Sequence, residues 1–98
     1  MKYLTLDLIK KHSRIDFDIE DDLLELYADA SEQTVMDLCN TTYEAMIEEY
    51  GEMPAPIKQA TLMLVDLSYE HRSPITQAQY SLVPYGFDRL IKKYIKLG

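Results

Sequence analysis

Between Ala60 and Leu67 six of eight residues are apolar, and helical spacing spreads them around the whole circumference rather than along one stripe. A helix that is apolar on every side has to be surrounded by other elements. The run is too short to cross a bilayer, which needs about 20 apolar residues, and Asp66 interrupts it. The segment Ile57–Arg72, IKQATLMLVDLSYEHR, is therefore predicted to be a buried central helix. Upstream, Thr5 stands where an N-cap would, before LDLIKKHSRI, with Asp7 suited to the positive end of the helix dipole. Leu6, Ile9 and Ser13 give this first helix a short inward face, and it should end by Asp16. A second helix is predicted from Glu20 to Asn40, with Leu24, Tyr27, Ala28, Ser31, Val35 and Leu38 on one face. Asp29, Glu32 and Asp37 are placed away from that face. Asp18 should cap it, and Glu20, Asp21 and Asp22 fill its favourable first turn.

Thr41 to Glu44 has the capping-box form, predicting a short third helix over Thr42–Tyr50 that stops at Gly51. Glu52–Pro56 reads as a rigid turn in which Pro54 or Pro56 takes the first position of the central helix. Ser73–Pro74 ends that helix, because proline disfavours helical geometry in the residue before it. Pro74–Gly86 is a long connector, in which Tyr80, Leu82 and Val83 suggest a short extended segment. The last helix, Phe87–Leu97, has an apolar stripe of Phe87, Leu90, Ile91 and Tyr94 beside basic Arg89, Lys92, Lys93 and Lys96.

The expected fold is all-α. It is a small bundle of four to five helices around the buried central helix, with a C-terminal amphipathic helix on a long connector. Residues 1–73 form the helical core, 74–86 the connector and 87–98 a docking helix, all within a single domain. Leu24, Val35, Leu38, Leu62, Leu64, Val65 and Tyr69 are the expected core. Ninety-eight residues suffice for one modest core. An apolar content of 47% against 28% charged argues for a folded chain rather than a disordered one.

Charge changes the picture more than composition does. The net charge is −7, but residues 1–53 carry 14 Asp/Glu against 4 Lys/Arg, whereas residues 54–98 carry 3 against 6. An acidic body with a basic end is poorly suited to wrapping nucleic acid, which rewards phosphate neutralisation. Most of these carboxylates read as a solvated face that favours solubility. Cys39 stands alone and cannot form an internal disulfide, and no apolar signal segment opens the chain, so a reducing cytoplasm is expected for its synthesis.

Candidate chemistry is sparse. Asp16, Asp18, Glu20 and Asp22 have the alternation of a calcium loop, but its glycine and bidentate glutamate positions hold Asp21 and Tyr27. His12, His71 and Cys39 are too scattered for a zinc site. No phosphate loop or nucleophile motif occurs. No catalytic residue, metal or cofactor is expected, and the chain is not expected to be an enzyme. Cys39 reads as a small buried hydrophobe. The terminal helix allows two readings, a packed element with a solvated basic face or a docking helix for an acidic partner or lipid surface.

Three segments together, LTLDLIKKHSRID, LMLVDLSYEHR and VPYGFDRLIKKY, resemble the head–tail connector family of tailed bacteriophages, small all-helical adaptors also known as DNA-packaging proteins. The features carrying the likeness are Thr5–Leu6 followed by Arg14–Ile15–Asp16, then Tyr69–Glu70 with Arg72, and Pro84, Gly86, Leu90 and Tyr94. Ser13 and His71 depart from the leucine and asparagine expected there. The resemblance implies a structural virion protein at the head–tail junction, assembled in the bacterial host cytoplasm. It would form a homo-oligomeric ring, dodecameric in the virion, beneath the portal protein. That ring would extend the DNA channel, pass DNA without binding it specifically, and meet a downstream tail-completion or stopper protein. Within that frame Phe87, Arg89, Leu90, Ile91, Lys92, Lys93, Tyr94 and Lys96 are the expected portal-docking residues, and Glu44, Glu48 and Glu49 the expected channel-facing acids. The alternatives are a small helical DNA-binding or regulatory protein, whose recognition helix would need an exposed basic face, and a peripheral membrane protein binding through residues 87–97; no membrane partner is expected.

Overall fold

A computed structural model describes residues 1–13, 21–71 and 86–96, and every regular element among them is helical. Helix α1 spans Leu6–Ser13, and the Leu8 amide donates to Thr5 Oγ1 at 3.1 Å, so Thr5 caps it as its sequence position suggests. Helix α2, Asp21–Leu38, ends at Asn40, which takes a positive φ of 55°. There the Asn40 N–H donates to the Asp37 carbonyl and the Thr41 N–H to the Met36 carbonyl, each at 3.1 Å. These reversed bonds satisfy carbonyls that the helix end would otherwise leave open. Asparagine tolerates the left-handed backbone because its short amide can bond locally.

Helix α3, Tyr43–Tyr50, is capped by Thr42, whose Oγ1 accepts from the Ala45 N–H at 3.1 Å. The capping-box pattern had pointed one residue earlier, to Thr41, whose own amide is engaged in closing α2. Gly51 then takes φ 83°, and its N–H reaches the Ile47 carbonyl at 2.7 Å. Helix α4 spans Ala55–His71, and the Pro54 carbonyl accepts from both Ile57 and Lys58 at 3.1 Å. Pro54 therefore immediately precedes the helix, and Pro56 lies in its first turn, where a missing N–H costs nothing.

Helix α5, Gly86–Ile91, runs into a 3₁₀ turn at Lys92–Tyr94, after which Ile95 is extended with ψ 127°. That is shorter than the Phe87–Leu97 helix expected from the amphipathic pattern. The reason is tertiary. The Lys96 N–H donates to the Cys39 carbonyl at 2.8 Å, and the Asn40 side-chain amide donates to the Lys96 carbonyl at 3.2 Å. Both bonds require the chain to leave the helix and lie across the end of α2.

Helix α4 sits in the middle, packed mainly against α2, with α5 on it and α1 touching both. Its apolar circumference divides between two clusters. Leu62 and Val65 pack with Leu4, Ile9, Leu24, Tyr27 and Ala28. Ile57, Ala60 and Leu64 pack with Val35, Met36, Cys39, Met46, Phe87, Ile91 and Tyr94. Leu38 and Tyr69 are half-buried at the edges of these clusters. Phe87 and Ile91 are almost completely buried, which corrects the expectation of a terminal helix standing apart from the core. An apolar α4 needs cover on that side, and α5 supplies it. Of the connector expected over 74–86, residues 74–85, with Tyr80, Leu82 and Val83, lie outside the described residues, as do Asp16, Asp18 and Glu20, while Gly86 opens α5.

Candidate partner-contact surfaces

The first residues of the chain form a strap across α2, tied down by a carboxylate. Glu32 is 5% exposed, and its two oxygens accept the backbone N–H groups of Lys2 at 2.7 Å, Tyr3 at 3.1 Å and Leu4 at 2.9 Å. A buried carboxylate is tolerable only with such donors around it. This overturns the placement of Glu32 on the outer face of α2. A signal was present, since position 32 continues the Leu24–Ala28 series at four-residue steps and so falls on the buried side. Tyr3 reaches further. Its ring stacks parallel to that of Tyr43, with centroids 6.2 Å apart, and its hydroxyl lies 2.7 Å from Thr61 Oγ1. Thr61 spends its one proton on the Ile57 carbonyl at 2.8 Å, so Tyr3 is the donor. Burial is the main cause pushing the Tyr3 phenol above its ordinary pKa. The strap thus joins α2, α3 and α4. A cleft of about 400 Å³ opens beside it, bordered by Lys2, Asp29, Gln33, Thr42 and Glu44. Among the described residues its lining has carboxylates but no histidine, cysteine or serine.

The acidic side of α3 is partly neutralised from within the chain. Lys2 Nζ lies 3.2 Å from Glu44, and Lys96 pairs with Glu49. The Glu44 carboxyl is held below its usual range by its own backbone amide and then by Lys2; Glu49 is lowered by hydrogen bonds from Lys96 and Tyr50. Both pairs are exposed, and such pairs contribute little to stability. Of the three expected channel-facing acids, Glu48 alone has no such cation among the described residues.

The eight expected docking residues separate into two groups. Phe87, Ile91 and Tyr94 are buried, with the Tyr94 and Tyr50 rings meeting edge to face, centroids 5.4 Å apart at 74°, and Leu90 is half-buried. Arg89, Lys92 and Lys93 are exposed, and Lys96 is half-exposed and already paired. Lys93 lies over its neighbour Tyr94 at 5.8 Å, and Lys96 over Tyr50 at 5.9 Å. The structure leaves Arg89, Lys92 and Lys93 exposed and sends Phe87, Ile91 and Tyr94 of the apolar stripe inward. Sequence reasoning missed the exposed apolar residues Met1, Leu8, Leu26 and Ile95. Leu26 could have been found as a leucine off the buried register of α2.

Cys39 is fully buried, and burial pushes its thiol up to about 11, the behaviour of a packed hydrophobe rather than a nucleophile. Among the described residues no three metal-ligating side chains converge, and no helix is long and apolar enough to cross a membrane. Compared with known families, the chain matches over residues 3–95 a model described as phage gp6-like head-tail connector protein. Comparison with curated proteins and with solved structures gave no match.

Proposed function

The chain belongs to the phage gp6-like head–tail connector family, and we propose that it acts as a ring-forming adaptor seated beneath the portal. The observation carrying this reading is the extent of the family match, residues 3–95, which takes in the strap, the central helix and the terminal turn. In this role the protein is a structural component of the virion's head–tail junction. A ring of twelve copies would continue the DNA channel and offer its far side to a tail-completion or stopper protein.

Physical features support the role. A net charge of −7 per copy disfavours adhesion of DNA sliding past. Glu48, with Glu44 and Glu49 beside it on α3, would face the channel. The exposed cations Arg89, Lys92 and Lys93 would meet acidic groups on a partner, either the portal or a neighbouring subunit. Phe87, Ile91 and Tyr94 would hold that surface rigid from behind rather than enter a partner's groove. Electron microscopy of the purified protein, alone and mixed with its portal, tests the proposal. Coaxial rings on the portal are expected; a protein that neither forms rings nor binds portal at low or moderate salt would refute it.

A further inference from the structure

Two exposed apolar sites lie at opposite ends of α2 within opposite charge. Leu26 is 55% exposed. Asp22 and Asp29 share its side of the helix, four residues before and three after, and Glu25 adjoins it, all three exposed. At the far end, Ile95 is 39% and Tyr50 40% exposed; exposed Lys92 and Lys93 precede Ile95 in the chain by three and two residues, and Glu49 next to Tyr50 is paired with Lys96. The bond from the Lys96 N–H to the Cys39 carbonyl places this second patch at the C-terminal end of α2. From Leu26 to Cys39 the helix advances about 20 Å at 1.5 Å per residue. One exposed apolar side chain on a small domain needs no explanation. Met1 and Leu8 are exposed as well, but the Leu26 and Ile95 sites have flanking charges of opposite sign and are complementary to each other.

We propose that the Leu26 patch of one copy seats on the Ile95–Tyr50 patch of the next, with Asp22 and Glu25 facing Lys92 and Lys93. This rests on the ring reading above and names its subunit contact. Because the patches are different surfaces at two ends of one helix, the contact is heterologous and repeats head to tail, as a ring requires. An apolar centre inside a charged rim is the usual anatomy of a protein interface. The charged part weakens as salt rises.

A charge-swap experiment on the full chain tests it. One variant carries Asp22→Lys with Glu25→Lys, the other Lys92→Glu with Lys93→Glu, and circular-dichroism melts confirm that both fold. Assembly is followed by sedimentation velocity in isolation and by microscopy on purified portal, at low and moderate salt. Each variant alone should associate about tenfold or more weakly than the natural chain, since both members of each pair then repel. An equimolar mixture should recover assembly, because alternating copies present opposite charges at every junction. Damage to folding or to a portal-binding site would not be repaired by mixing. Variants that assemble like the natural chain, or a mixture that fails to recover, overturn the assigned surfaces while leaving the ring reading intact. A natural chain that forms no ring in isolation or on the portal overturns both.

Discussion

Replacing Glu32 by alanine removes the anchor of the N-terminal strap, and the structure sets the size of the effect. The carboxylate accepts three backbone amides at 2.7, 3.1 and 2.9 Å. Bonds to a charged group contribute about 1.5–3 kcal/mol each, but they share one acceptor and do not add. Lys2 and Tyr3 are partly exposed, so a small shift returns their amides to water. The bond from Leu4 is buried, and an unpaired donor there costs about 1–3 kcal/mol. Escape of that amide to water would instead lift the Leu4 side chain, 4% exposed, out of its cluster. Either route predicts a loss of about 2–4 kcal/mol. For 98 residues each kcal/mol lowers Tm by roughly 4–8 °C, so calorimetry should find a drop of about 10–25 °C. Glu32→Gln keeps one acceptor but turns a donor towards donors, and should lose about half as much. Hydrogen exchange should show the amides of residues 2–4 losing protection in both variants. A Glu32→Ala chain within about 0.5 kcal/mol of the natural one, the range of surface substitutions, would refute the anchoring argument.

Phe87→Ala should cost about 3–5 kcal/mol in urea denaturation, as buried aromatics do, and a chain ending at Tyr85 should melt early or aggregate. An unchanged cooperative melt of that truncation would return the terminal helix to a separable docking role. The Cys39 thiol, raised by burial, should resist a thiol reagent near neutral pH until the protein is unfolded. Its folded pKa lies above its unfolded value, so this stabilisation is intact below the ordinary thiol range and falls as pH climbs towards about 11. Melts that are flat across that alkaline window, or rapid labelling of the native chain, would contradict the burial. Duplex DNA should show no appreciable binding by fluorescence anisotropy at physiological salt; micromolar binding with a steep salt slope would reveal a phosphate-contacting surface.

Sequence alone determined which segments are helical and which one lies at the centre. Thr5 as a cap, the buried register Leu24–Tyr27–Ala28–Ser31–Val35, and the all-round apolar α4 follow from residues within a turn or two of one another. Periodicity and capping are local, so a linear reading reaches them. Tertiary structure decided what each surface meets. The amphipathic stripe of Phe87, Leu90, Ile91 and Tyr94 is the same pattern whether its cover is α4 of its own chain or a groove on another protein. Only the assembled core assigns it to α4. Glu32 was readable as inward from its register with Leu24 and Ala28, yet its donors come from residues 2–4, far along the chain. The pairs Lys2–Glu44 and Lys96–Glu49 likewise join distant residues and shorten the list of charges free to meet a partner. Tertiary contacts also ended the last helix early, because the Cys39 carbonyl and the Asn40 amide take up the Lys96 backbone. Helix type is set by neighbours in sequence, while the partner of a buried carboxylate or an apolar stripe is set by which distant segments the fold brings within bonding distance.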